Sequence, residues 1–123
     1  MAFVRAIVAA YQRYGNSPDR ALLQAQIAPE QVAKPDARIT ARQMETLSGA
    51  AMQELDDEAL GWFSRRLPWG SYGMLARASI SAPTLGVAIS RWCRHHGLIA
   101  PDITPSLEVT GSVAPIRIQE RLE

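Results

Sequence analysis

The chain has 123 residues, 47% of them hydrophobic and 20% charged, which is enough apolar material for a buried core and argues against disorder. Its 13 basic and 12 acidic residues leave a net charge of +1, too little for the electrostatic footprint of a nucleic-acid reader or of a protein held on an anionic membrane. One cysteine, Cys93, excludes an internal disulfide and a cysteine-based zinc site. The N-terminus lacks a signal-peptide pattern, and no apolar run approaches the roughly 18 residues of a membrane span, so a soluble cytoplasmic protein is expected.

In residues 2–14, Phe3, Ile7, Val8, Tyr11 and Tyr14 recur at helical spacing, with Gly15 placed to end the helix. Asn16-Ser17-Pro18-Asp19 reads as the next helix start, with Ser17 as cap and Leu22 and Leu23 turned inward until a stop near Ile27. A short helical turn is expected over residues 29–33, then a loop at Lys34-Pro35-Asp36-Ala37-Arg38. Thr40 and Gln43 form a capping box ahead of a helix whose stripe is Met44, Leu47, Ala51 and Leu55. Asp56-Asp57-Glu58 reads as the start of another helical turn, ending near Gly61. Residues 62–69 fit either a short strand or coil.

A helix is expected over residues 71–81. Another starts at Leu85, with Leu85, Ala88, Ile89, Trp92, Cys93 and His96 on its apolar face and Gly97 closing it. The period then changes to two. Leu107 and Val109 alternate with polar residues, as do Ile116 and Ile118, and Gly111-Ser112 between them suits a two-residue II′ hairpin turn. The expected fold is therefore α+β: a helical N-terminal half, a helix pair, and the start of an antiparallel sheet. Residues 1–55 form the helical portion and 56–123 an α+β portion that reads as unfinished.

Few constellations here carry chemistry. Cys93 and His96 share a helix face, but His95 points roughly 100° away, and zinc needs three or four ligands. Gly70-Ser71-Tyr72-Gly73 departs from a nucleophile elbow and reads better as a turn at a helix start. Asp56, Asp57 and Glu58 read as acids complementing a helix dipole. A helix-turn-helix over residues 22–47 lacks the Lys and Arg contacts that DNA phosphates demand. No cofactor or metal site is expected, and no enzymatic activity. The aromatics Trp62, Phe63, Trp69, Tyr72 and Trp92 fall in one stretch and serve either as core or as the wall of an effector pocket. Trp92 and His96 lie one turn apart and project from one face, which makes Trp69, Tyr72, Trp92 and His96 the candidate ligand-binding set.

Several of these stretches resemble the N-terminal arabinose-binding-like domain of one branch of AraC/XylS transcriptional regulators. The resemblance lies in the order of Tyr14-Gly15, Ala21-Leu22-Leu23, Lys34-Pro35-Asp36-Ala37-Arg38-Ile39, Asp57-Glu58-Ala59-Leu60-Gly61, Tyr72-Gly73-Met74-Leu75 and Ser81-Ala82-Pro83-Thr84-Leu85. His95 and His96 stand where the family pattern has tyrosines, and Trp62 where it has an aliphatic residue. The resemblance implies a bacterial, cytoplasmic, effector-sensing and dimerising module, a homodimer that meets DNA only through a C-terminal domain missing here. The alternative is a stand-alone small-molecule-binding or protein-interaction module.

Overall fold

The structure, a computed structural model, describes residues 1–121. The chain forms two compact units, Met1–Trp62 and Phe63–Glu123. Among the described residues there are six helices followed by a two-stranded antiparallel sheet, an α+β fold as expected.

Unit 1 holds α1 (Ala2–Arg13), α2 (Asp19–Gln24), α3 (Pro29–Ala33) and α4 (Ala41–Glu54). Its core joins Val4, Ile7, Ala10 and Tyr11 of α1 to Ala21 and Leu22 of α2, and to Leu47, Ala51 and Leu55 of α4 and its end. The stripe on α1 is rotated from the one expected. Val4 is buried and Phe3 is 72% exposed, because the inward face runs through Val4, Ile7 and Tyr11 at i, i+3 and i+7. Leu23, expected inward, is 79% exposed, because α2 turns Ala21, Leu22 and, beyond its end, Ala25 to the core.

The helix ends follow local chemistry. Thr40 Oγ1 accepts the Gln43 N–H at 3.1 Å and Gln43 Oε1 accepts the Thr40 N–H at 3.0 Å, so the capping box forms. Pro18 takes the N-cap place of α2, and Ser17 Oγ accepts the Asp19 N–H at 3.2 Å. After α1, Gly15 has φ +69°, its N–H donates to the Gln12 carbonyl and the Asn16 N–H to the Tyr11 carbonyl, which is the Schellman arrangement. The same pair of bonds closes α2, with Gln26 rather than glycine at φ +55°.

The acidic run after α4 makes turns, not the helical start expected. Asp57 is fully buried, and its carboxylate accepts the N–H groups of Ala59 at 3.0 Å and Gly61 at 2.7 Å and the Tyr14 hydroxyl at 2.7 Å. Gly61 has φ +77°, the left-handed region that favours glycine, and a Cβ there would meet Ala10 Cβ at an ordinary 3.4 Å. Tyr11 makes a parallel bond to Glu54 Oε2 at 2.7 Å, so both tyrosines of the expected apolar stripe end on carboxylates.

Unit 2 holds α5 (Ser71–Ile80), α6 (Leu85–Ile99), β1 (Ile103–Leu107) and β2 (Ile116–Glu120). Helix α5 packs on α6, and β1 packs on α6 as well. Residues 62–69 are irregular, which decides between strand and coil. Thr84 Oγ1 caps α6 through the Val87 N–H at 3.2 Å. Gly97 does not close α6. The helix runs on to Ile99 and stops before Pro101, which disfavours helix at the residue preceding it. Leu85, expected inward, is 76% exposed in the first turn of α6.

The hairpin turn forms as expected. Thr110 and Val113 exchange backbone hydrogen bonds, and Gly111 carries φ +61° while Ser112 has no positive φ, the II′ signature. The strands pair Leu107 with Ile116 and Pro105 with Ile118. β1 thus lies earlier in the chain than the alternation suggested, and Val109 is 72% exposed beyond it.

Candidate functional site

Helix α6 places Trp92, Cys93 and His96 on one face, and the start of α5 supplies Tyr72. The Tyr72 and Trp92 rings stack with centroids 6.1 Å apart and planes 14° from parallel. His96 lies 5.2 Å from Trp92 and 5.9 Å from Tyr72, centroid to centroid. Three of the four residues singled out from sequence therefore come together. Trp69 lies in the turn ahead of α5 and is half-exposed.

Phe63 joins the group, with its ring edge-on to His96 at 6.1 Å. Sequence reasoning placed Phe63 among the clustered aromatics and not in the site. It sits outside any periodic element, so no spacing rule could aim it at His96. A strap after Phe63 does the aiming. The Ser64 N–H donates to Asp102 Oδ1 at 2.7 Å, and the Arg65 guanidinium donates to the carbonyls of Leu98 at 3.2 Å and Ile99 at 2.6 Å. Those carbonyls end α6 and lack helical partners, so Arg65 both caps the helix and complements its dipole. The Ser64 N–H also holds the Asp102 carboxyl below its usual range.

His96 is 1% exposed. Burial among rings pushes its pKa down, so the imidazole is neutral at neutral pH. Its Nε2 is 3.4 Å from the Tyr72 hydroxyl, and its buried Nδ1 has no hydrogen-bond partner. A buried polar atom without a partner is uncommon and costly, and it marks a place where a ligand atom could bond. Cys93 beside it is buried, and burial raises its pKa, so it is a protonated, unreactive thiol. Among the described residues no group of three or more His, Cys, Asp or Glu could hold a metal ion. No helix among them is long and apolar enough to cross a membrane.

Unit 1 offers concavities of its own. One of about 720 Å³ is polar and lined by Gln24, Gln26, Thr40, Arg42, Gln43 and Thr46. Another of about 470 Å³ is apolar, between Leu22, Leu23, Ile27 and Pro29. Neither contains a buried polar atom lacking a partner; among the described residues such atoms are His96 Nδ1 in the ring cluster and Asp102 Oδ2, on a residue that lines a concavity of about 310 Å³ with Ser64, Pro101 and Arg121.

A family model described as the arabinose-binding domain of AraC transcription regulator, N-term, matches residues 15–123. That description is of a regulatory ligand-binding domain and not of an enzyme. No curated protein and no solved structure matches the chain.

Proposed function

This chain belongs to the family of N-terminal arabinose-binding domains of AraC transcription regulators, and from that premise we propose that it senses a small-molecule effector through the rings around His96. The observation that carries the reading is the unused Nδ1 of His96, buried where Tyr72, Trp92 and Phe63 converge. Ring faces supply apolar contact and the imidazole supplies direction, the usual division of labour in a small-molecule site. Trp69, half-exposed three residues before Tyr72, is kept as a candidate at the rim of the site. The mechanism is differential affinity: the effector stabilises one arrangement of the domain, and that bias reaches transcription.

The finer parts of the reading are that the module works in a bacterial cytoplasm as a homodimer, without cofactor or catalysis, and touches DNA only through a separate domain. Support for pairing comes from the hairpin, where Val109, Val113, Ile116 and Ile118 are all more than half exposed. Exposed large apolar residues gathered on one hairpin suit an interaction surface. The same feature suits a stand-alone interaction module, which would need no effector.

A thermal-shift screen against small metabolites separates the two. An effector that binds only the native state stabilises it by about 2.7 kcal/mol at a hundredfold excess over Kd, and so raises its melting temperature. The rise should vanish in Trp92→Phe and Tyr72→Phe variants that still melt cooperatively. A screen with no stabilising compound would leave the interaction module ahead.

A further inference from the structure

We infer that a concavity beside Asp102, apart from the ring cluster, binds a small zwitterion of the α-amino-acid type, with its ammonium group on Asp102 Oδ2 and its carboxylate on the Arg121 guanidinium. The inference does not rest on the effector reading of His96. The concavity holds about 310 Å³, and the described residues that line it are Ser64, Pro101, Asp102 and Arg121. That size suits a ligand at the small end of the usual range. Ser64, Pro101 and Arg121 are exposed, so the space opens on solvent.

The charges choose the ligand. Asp102 Oδ1 accepts the Ser64 N–H at 2.7 Å, and that bond holds the carboxyl below its usual range, so it is ionised at neutral pH. Its other oxygen, Oδ2, is buried and has no hydrogen-bond partner. A buried ionised oxygen is costly until a donor reaches it, and a charged donor serves it best. The chain does not supply one. The Arg65 guanidinium donates to the carbonyls of Leu98 and Ile99. Arg121 gives Asp102 only its backbone N–H, to the Asp102 carbonyl at 2.8 Å. That bond fixes the Arg121 backbone beside Asp102 and leaves its guanidinium without a partner among the described residues. A simple amine would suit Asp102 and meet a like charge on Arg121, and a simple acid would suit Arg121 and meet a like charge on Asp102. A molecule with both charges on one carbon satisfies the two together. Arginine is also the side chain whose planar fork matches a carboxylate. Arg121 is exposed, so its side chain can turn to meet the carboxylate as the ammonium group moves in beside Oδ2.

The test is an NMR titration of the whole chain near neutral pH with L-alanine, L-alaninamide and L-lactate. The three share a skeleton and carry both charges, the positive one alone and the negative one alone. The backbone N–H signals of Ser64 and Arg121, both bonded to Asp102, are the reporters. Alanine should shift both saturably and bind roughly tenfold or more tightly than either analogue, since each analogue forfeits one charge-assisted hydrogen bond. Asp102→Asn keeps an oxygen for the Ser64 N–H and should weaken alanine to the level of lactate. Arg121→Gln should weaken it to the level of alaninamide, and its exposed position keeps the test valid where Asp102→Asn fails to fold. Arg121→Lys should keep part of the binding, because the charge remains and the fork is lost. Alaninamide or lactate binding as tightly as alanine, or alanine binding that survives Arg121→Gln, would overturn the inference. So would Ser64 and Arg121 signals that stay still up to the solubility limit of alanine, an outcome that would leave Oδ2 to a water molecule.

Discussion

Removing the Asp57 carboxylate takes away the acceptor that the Tyr14 hydroxyl and the N–H groups of Ala59 and Gly61 share. A buried donor left without its acceptor costs about 1–3 kcal/mol and a part-buried one less, so Asp57→Ala should destabilise by roughly 2–3 kcal/mol, read from urea unfolding. Asp57→Asn keeps one acceptor oxygen and should cost less; equal losses would show that the carboxylate's bonds are not what matters. Sequence reading made Asp57 a dipole-complementing acid, because nothing local reveals that Tyr14 delivers a hydroxyl from 43 residues earlier. His96 gives a second residue-scale prediction. Its folded pKa lies below the ordinary value of about 6.5 because burial penalises the charged form. The unfolded chain therefore binds the proton more readily. The stability contribution is present above about pH 6.5 and is lost as pH falls through and below it. Melting temperatures from pH 7.5 to about 5 should drop in the wild type and drop less in His96→Gln. Identical slopes in the two proteins would remove His96 as the cause.

At the scale of elements, the legible features were those encoded by neighbours in sequence. The Thr40–Gln43 capping box and the Gly111-Ser112 turn formed because each is satisfied within four residues. The rotation of α1 was not legible, since Val4 and Phe3 are both apolar and only tertiary packing chooses between them. Nor was the length of α6, where Gly97 is tolerated inside the helix at a cost of about 1 kcal/mol relative to alanine. Gln26 is the element-scale case with the clearest test. It ends α2 in the left-handed region at φ +55°, where a side chain costs roughly 1 kcal/mol and glycine costs little. Its exposed side chain is dispensable to the bond in which its carbonyl accepts from Gln43 Nε2 at 3.0 Å. Gln26→Gly should therefore raise stability by about 0.5–1 kcal/mol, less whatever the added freedom of the unfolded chain removes. A lower melting temperature in this variant would show that the Gln26 side chain carries an interaction of its own.

Over the whole chain, the two units bury different things. The core of unit 1 is largely aliphatic, while unit 2 buries an imidazole among rings as well as Leu67, Leu75 and Cys93. The candidate site was legible in part. Trp92 and His96 share a helical face by spacing alone, and Tyr72 was placed by its position at the start of the neighbouring helix. Phe63 was not, because an irregular strap held by Asp102 and the end of α6 sets its direction. The outer face of the hairpin supplies the prediction at this scale. All five residues of β2 are exposed, with Ile116 and Ile118 on one side of the strand. If a second copy covers them, light scattering at high micromolar concentration should give a dimer, and Ile118→Lys should give a monomer with an unchanged melting profile at low concentration. A wild-type monomer across that range would count against the pairing.

One residue also holds Ser64 and Arg121 beside each other. Asp102 receives the Ser64 N–H on its carboxylate and the Arg121 N–H on its backbone carbonyl, at 2.7 and 2.8 Å. The order of the elements along the chain is therefore not dictated by their arrangement in space. A short linker could join Arg121 to Phe63, and new ends could be opened between Gly111 and Ser112. Such a circular permutant would read β2, strap, α5, α6, β1 and would keep the hydrogen bonds that fix Phe63 against His96.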